Sequence, residues 1–222
     1  MEVIRSDRFG KQNSRIPRAR LLEESVTVIG TGGIGRQVAL QLVALGIPKL
    51  QLIDPAIVRA TDVTSAGFHD EDVGKPKVDM VGHQCHQTEP LLDLEAVYER
   101  FNSRHEVGNS VFCCVDSAEA RPFIWNAVAD RCRFWGDGRL EVDRVRVLAA
   151  TSEQSRRDYA DSFSPGNQDD SGAHSPVSST IYESALGAAL LIDQYVRHLR
   201  GLPLIVDAAF DFSIGSYVKR AL

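Results

Sequence analysis

Apolar and polar positions alternate along this chain with two different periods. Val26 to Ile29 is a short β-branched run, which predicts a buried strand. After it, Ile34, Val38, Leu42 and Leu45 recur at helical spacing, and Gly46 is a helix stop. Leu50 to Ile53 is a second short strand, closed by Asp54. Strand, helix and strand together have the size of one βαβ unit. The same alternation continues. A helix is predicted over Lys77 to Gln87, with Val78, Val81 and Cys85 on one face. Strands are predicted at Leu94 to Tyr98 and at Val111 to Val115, the latter closed by Asp116. A helix follows over Ala118 to Arg131, then a strand over Val142 to Ala150. Thr180 to Leu199 carries Ala185, Ala188, Ala189, Ile192 and Val196 on one broad face, and Pro203 to Phe212 supplies a last strand. The pattern predicts a Rossmann-like, doubly wound α/β fold, with a mostly parallel sheet and helices on both faces.

The segments without a period set the expected organisation. Residues 1–22 are polar and basic and read as an arm or helix packed on one domain, 23–222. Asp62 to Gly74 is polar and irregular. Ser152 to Ser179 is rich in Ser, Asp, Gly, Asn and Gln. It is expected to be a long, mobile loop that orders when a partner enters. His174 within it reads as a solvated residue.

Composition narrows the function classes. A net charge of −5 over 222 residues argues against nucleic acid as the main partner. The longest apolar candidate, Ala185 to Ile192, is too short for a membrane span. Met1 to Arg20 lacks the apolar centre of a signal peptide, so a cytoplasmic protein is expected. Cys85, Cys113, Cys114 and Cys132 form no C-x-x-C pair, which argues against a zinc-thiolate site. They read as small buried hydrophobes.

The segment Gly30-Thr-Gly-Gly-Ile-Gly35 joins the first strand to the first helix. Gly30, Gly32 and Gly35 fit G-x-G-x-x-G: a tight turn, a close approach for phosphate, and close packing of helix on strand. Free N–H groups at the helix start, Gly33 among them, suit an anion. Asp54 ends the next strand, about twenty residues on, where an acid accepts from ribose hydroxyls. NAD and ATP both satisfy this much.

Later elements distinguish them. Val58 precedes Asp62-Val-Thr-Ser-Ala-Gly-Phe68, then Val73-Gly-Lys-Pro-Lys77; Val115-Asp116-Ser117 is followed by Arg121; and Arg8-Phe9-Gly10-Lys11-Gln12 precedes the glycine turn. In order and spacing these resemble the ThiF/MoeB/HesA adenylyltransferases, bacterial relatives of the ubiquitin-activating enzymes. The resemblance covers residues 5 to about 150. From Asp137-Gly-Arg139 through Ser179-Thr-Ile-Tyr182 the chain also resembles a compact bacterial subgroup.

The resemblance implies ATP and Mg²⁺ as ligands and a small ubiquitin-like or sulfur-carrier protein as partner. It also implies a homodimer. Lys77 is then the cation on the triphosphate, Asp116 the Mg²⁺ ligand, and Arg59 and Lys11 are supporting cations, Lys11 acting across the dimer. Structural alternatives stand beside these roles: Lys77 as a solvated lysine opening a helix, and Asp116 as a helix N-cap. The chain departs from the family at one stretch. Asp62, Ser65 and Ala66 replace an Asn, an Arg and a Gln, and no cysteine is placed to form a thioester. The competing readings are a nucleotide-binding scaffold that has lost adenylylation, and an NAD-dependent oxidoreductase.

Overall fold

The structure, a computed structural model, describes residues 8–163 and 180–219. A 3₁₀ turn at Gly10–Gln12 and a one-turn helix α1 (Arg18–Leu21) lead into β1 (Ser25–Ile29). Then come α2 (Gly33–Leu45), β2 (Lys49–Ile53), α3 (Ala60–Ser65), α4 (Lys77–Thr88), β3 (Asp93–Val97) and β4 (Ser110–Cys113). The chain continues through α5 (Ala120–Val128), β5 (Phe134–Glu141), β6 (Arg144–Ala150) and α6 (Glu153–Asp161). It ends with α7 (Ile181–Leu199), β7 (Asp207–Asp211) and β8 (Ser216–Lys219).

The strands form one eight-stranded sheet in the order β3-β2-β1-β4-β5-β6-β7-β8. The first five are mutually parallel, with Ile29 level with both Ile53 and Cys113, and Cys113 level with Asp137. The last three add on antiparallel. This is the expected Rossmann-like α/β fold. Strand order reverses between β1 and β4, and such reversals open a crevice at the C-terminal strand ends.

Alternation along the central strands sends side chains to two separate cores. Val26 and Val28 of β1 join Phe112 and Phe134 under α2, α4 and α7. Ile29, Ile53, Val111, Cys113 and Trp135 face the other way, under α5 and α6, with Ile124, Trp125 and Tyr159. Each fully buried Leu, Ile or Val contributes about 1.5–3 kcal/mol, which is why the sheet's centre is its most apolar part. Among the described residues no helix is long and apolar enough to cross a membrane.

Five elements differ from the pattern-based expectation: α3 lies largely in the stretch Asp62 to Gly74 expected to be irregular, β8 was not expected, and β5, α6 and α5 differ as follows. β5 was hidden because Phe134-Trp-Gly-Asp-Gly-Arg139 reads as a turn. The glycines are there for packing: a Cβ at Gly136 or Gly138 would crowd Leu191 of α7. α6 lies inside the stretch expected to be a loop. Its polar surface masks it, but the Ser152 hydroxyl caps it by accepting from the Ser155 N–H at 3.2 Å, and it buries Tyr159. The rest of that stretch, residues 164–179, including His174, falls outside the described residues. α5 begins at Ala120, and the Ala120 N–H donates to the Ser117 hydroxyl at 3.1 Å. Asp116 is therefore not the N-cap of that helix.

Candidate functional site

The glycine turn lies at the crevice between β1 and β4. Gly30 has φ +87°, a conformation glycine adopts at little cost, and a Cβ there would meet the Cys114 carbonyl oxygen at 2.7 Å. A Cβ on Gly35 would overlap the Gly30 carbonyl oxygen. A Cβ on Gly33 would overlap the Ser184 hydroxyl of α7, which is buried and lacks a hydrogen-bond partner among the described residues. Gly32 differs from the other three: nothing lies within 4 Å of its Cβ position. Gly32 is the N-cap of α2 and offers no side-chain cap, so the first N–H groups of the helix are left for an anion.

Asp54 pins this turn. One carboxylate oxygen accepts from the Thr31 N–H at 2.6 Å and the Thr31 hydroxyl at 3.1 Å, and the other from the Ala56 N–H at 2.7 Å. A carboxylate has about four acceptor positions, so capacity remains for a ribose hydroxyl.

Beyond Asp54 a backbone clasp fixes Lys77. Val58 N–H donates to the Lys75 carbonyl at 2.8 Å, Gly74 N–H to Val58 at 2.9 Å, and Lys77 N–H to Ala56 at 2.9 Å. Gly74 permits the reversal with φ +89°. Lys77 opens α4, and its Nζ stands 3.0 Å from an Asp62 carboxylate oxygen and over the Phe68 ring. Lys77 is therefore paired, not merely solvated. The second Asp62 oxygen accepts from the Arg59 N–H at 2.8 Å, capping α3. Ser65 folds its hydroxyl back onto the Thr61 carbonyl at 2.8 Å, and its own carbonyl lies beside Gly33. Ala66 is buried, and its backbone carbonyl accepts from Arg36 at 3.2 Å.

Asp116 lies exposed just beyond β4, with no hydrogen-bond or ion-pair partner among the described residues. The Cys114 N–H donates to the Ile29 carbonyl at 2.7 Å, which ties this exit loop to the strand that carries the glycine turn. Contacts thus link the turn of Gly30, Gly32, Gly33 and Gly35 to Asp54 through Thr31, to the exit loop that leads to Asp116 through Cys114, and, through the Ser65 carbonyl beside Gly33, to α3, whose Asp62 pairs with Lys77. The structure does not bring Lys11 to them. Gln12 donates to the Ala44 carbonyl at 3.1 Å, so Lys11 sits at the far end of α2, about 20 Å of helix away from the turn. The Arg59 side chain is exposed.

The cysteines are not primed as nucleophiles. Burial pushes the Cys85 and Cys113 thiols up to about 12, and burial also raises Cys114 and Cys132. A reactive thiolate needs the opposite shift.

The sequence profile of the ThiF family matches residues 4–141, more than half of the chain. The chain belongs to the ThiF family. Among curated proteins, this ThiF-family chain is 27% identical over 149 residues to ubiquitin-like modifier-activating enzyme 5 of Arabidopsis thaliana, covering 57% of this chain and 34% of that one. It is 31% identical over 87 residues to the sulfur carrier protein adenylyltransferase of Thermus thermophilus, covering 39% and 32%. The chain spans about a third of the length of these relatives. In fold it is similar to E. coli MccB crystallised with MccA, with a TM-score of 0.79 at 13% identity, covering 97% of this chain and 71% of that one. PaaA gives a TM-score of 0.74 at 18% identity, covering 96% and 72%.

Sequence reasoning missed a charged cluster beside Asp116. Arg121 Nε and Arg139 Nε donate to opposite oxygens of Asp137 at 3.1 and 2.8 Å, and the Tyr159 hydroxyl donates to it at 2.9 Å. Burial works against the Asp137 carboxylate, but Arg139 and Arg121 outweigh it and hold its pKa below the usual range. The available signal was the Asp137-Gly-Arg139 triplet, which pattern reading had no strand on which to place.

Proposed function

We propose that this chain binds ATP with Mg²⁺ and forms an acyl adenylate on the C-terminal carboxylate of a small ubiquitin-like or sulfur-carrier protein. The observation that supports the reading most is the glycine turn, with an uncapped helix start and Asp54 behind it, at the strand-order reversal of a ThiF-family sheet. The names of the relatives support the substrate class, and a neighbour in fold, MccB, has been solved with ATP.

In the proposed reaction a carboxylate oxygen attacks the α-phosphorus of ATP. A new acyl–oxygen–phosphorus bond forms, the bond from the α-phosphorus to the bridging oxygen breaks, and its electron pair leaves with pyrophosphate. The first N–H groups of α2 hold phosphate oxygens. Lys77, held at the start of α4 and paired with Asp62, would turn to the leaving pyrophosphate and offset its charge. Asp116, one exposed hard-oxygen donor beside a phosphate cradle, fits Mg²⁺, which takes one or two carboxylates together with substrate phosphates. The ion would neutralise phosphate charge there. None of this chain's four cysteines is primed for a thioester stage, so the proposed step is formation of the adenylate.

Calorimetry tests the nucleotide. ATP with Mg²⁺ should bind more tightly than NAD, and omitting Mg²⁺ should weaken ATP but not NAD. Tighter binding of NAD would return the site to the oxidoreductase reading.

The proposal includes a cytoplasmic homodimer. Lys11 is exposed and remote from its own glycine turn, so a role for it in the reaction would require the site of a second copy. Light scattering should return twice the chain mass at micromolar concentration; a monomer would remove Lys11 from the mechanism.

One observation favours a second reading, a nucleotide-binding scaffold. Lys77 is already neutralised by Asp62, and Ser65 provides no cation.

A further inference from the structure

The crevice has two walls, and the phosphate cradle occupies only one. The glycine turn, α2 and Lys77 belong to the side of the sheet under α2, α4 and α7. On the other side, Asp137 is level with Cys113 at the end of β4, and Arg139 follows two residues further on, beyond that strand's end. Residue alternation along β5 puts Arg139 on the same face as Asp137, against Tyr159 and Phe163. Arg121 reaches the same place from α5. Its Nη2 donates to the Val115 carbonyl at 2.5 Å, one residue before Asp116.

Two guanidinium groups share one carboxylate here. Asp137 is fully buried, and its two oxygens already accept from both arginines and from Tyr159. The trio therefore holds one positive charge more than it neutralises. Arg139 spends one donor on Asp137 and one, at 3.4 Å, on the Ser162 hydroxyl, out of five. Its guanidinium stands 6.0 Å from both the Tyr159 and the Phe163 ring centroids, on one side of that pair, and its bonds to Asp137 and Ser162 fix its position before any ligand arrives. A planar, fixed guanidinium with charge to spare is matched to a carboxylate.

We propose that Arg139, with Arg121 behind it, is the subsite that receives the free C-terminal carboxylate of the polypeptide substrate. The inference rests on the adenylylation reading and adds the group that overcomes its main electrostatic obstacle. A carboxylate approaching a triphosphate is repelled, and an excess cation on the wall opposite the phosphates offsets that repulsion where the two must meet. It also assigns a cation to a site whose family Arg is absent at Ser65.

The chain carries its own reporter. Trp125 and Trp135, its only two tryptophans, stack edge-on against Tyr159 at 4.7 and 5.4 Å. Tyr159 in turn bonds Asp137, so tryptophan emission reads this cluster. The probe is pentaglycine with a free carboxylate, compared with pentaglycine amide, each titrated in the presence of Mg²⁺ and a non-hydrolysable ATP analogue. A saturable emission change is expected with the carboxylate form, with the amide weaker by about tenfold or more, as for loss of a hydrogen bond to a charged group. Arg139→Gln should weaken the carboxylate form to the level of the amide. Arg139→Lys, which keeps the charge against Asp137 and so preserves the fold, should lie between.

Affinity for the ATP analogue, measured by calorimetry, should fall less in Arg139→Gln than affinity for pentaglycine does, and should be retained in Arg139→Lys. Equal responses to the two peptides, no response to either, or unchanged pentaglycine binding in Arg139→Gln and Arg139→Lys would each overturn the subsite. Failure of the wild type to bind the analogue at all would instead sink the underlying reading.

Discussion

Gly32→Val is expected to leave the protein folded and to abolish ATP binding. The four glycines of the turn look alike in sequence but do different work. At Gly32 the position of an added Cβ is open space on the ligand side of the turn. An added Cβ there meets no protein atom within 4 Å, so stability should hold, but the side chain occupies the approach that a phosphate needs. Losing two hydrogen bonds between backbone N–H groups and phosphate, at about 1.5–3 kcal/mol each, lowers affinity by about a hundredfold or more. Gly35→Ala should behave in the opposite way. Its methyl group would overlap the Gly30 carbonyl oxygen, which is backbone and cannot swing aside. A loss of about 3 kcal/mol in stability is expected, typical of severe overpacking. Thermal melts and calorimetry on both variants separate the two effects. If Gly32→Val unfolds the protein, or binds ATP like the wild type, the glycine turn is not the phosphate cradle.

The second large effect concerns turnover. Asp62 caps α3 with one oxygen and neutralises Lys77 with the other. Asn at this position keeps an acceptor for the Arg59 N–H and removes the charge, so the fold should survive. A unit charge about 5 Å from a phosphate is worth about 3 kcal/mol at an effective dielectric of about 20. Solvent at this partly exposed pair reduces that, and Asp62→Asn should raise pyrophosphate exchange about tenfold. Adding Ser65→Arg restores a guanidinium at the residue whose backbone carbonyl lies beside Gly33. Groups that meet charge developing in the transition state are worth about two to three orders of magnitude. The double variant should therefore exceed the wild type by about a hundredfold or more, with a smaller rise in ATP affinity, because the glycine turn and Asp54 carry most of the ground-state binding. An unchanged exchange rate in the double variant would mean that Asp62 and Ser65 do not limit the chemistry.

The first half of the chain was legible because its signals are local. A β-branched run, a glycine turn and a helical stripe specify β1, α2 and β2 without any distant partner. The second half was not, because its determinants are distant. Gly136 and Gly138 look like turn residues until Leu191 of α7, some fifty positions later, is packed on them. α6 looks like loop until Tyr159 is seen buried against Trp125 and Trp135. The site divides in the same way. Lys77 and Asp62 were both singled out from the family pattern, but a pattern does not show that they pair, which follows from the clasp between residues 56–58 and 74–77. Asp54 was read as a ribose ligand, and its bonds to Thr31 and Ala56, which hold the turn in place, depend on a chain reversal that sequence spacing does not reveal.

The most direct test of the account is ATP–pyrophosphate exchange by the wild-type chain with Mg²⁺, measured against a panel of small ubiquitin-like and sulfur-carrier proteins with free C-termini. The account predicts exchange that requires a partner's terminal carboxylate and runs slowly, below about one per second, the lower end of the usual enzyme range. Absence of exchange above background in the wild type and in the Asp62→Asn, Ser65→Arg double variant, despite normal ATP binding, would contradict it and leave a nucleotide-binding scaffold.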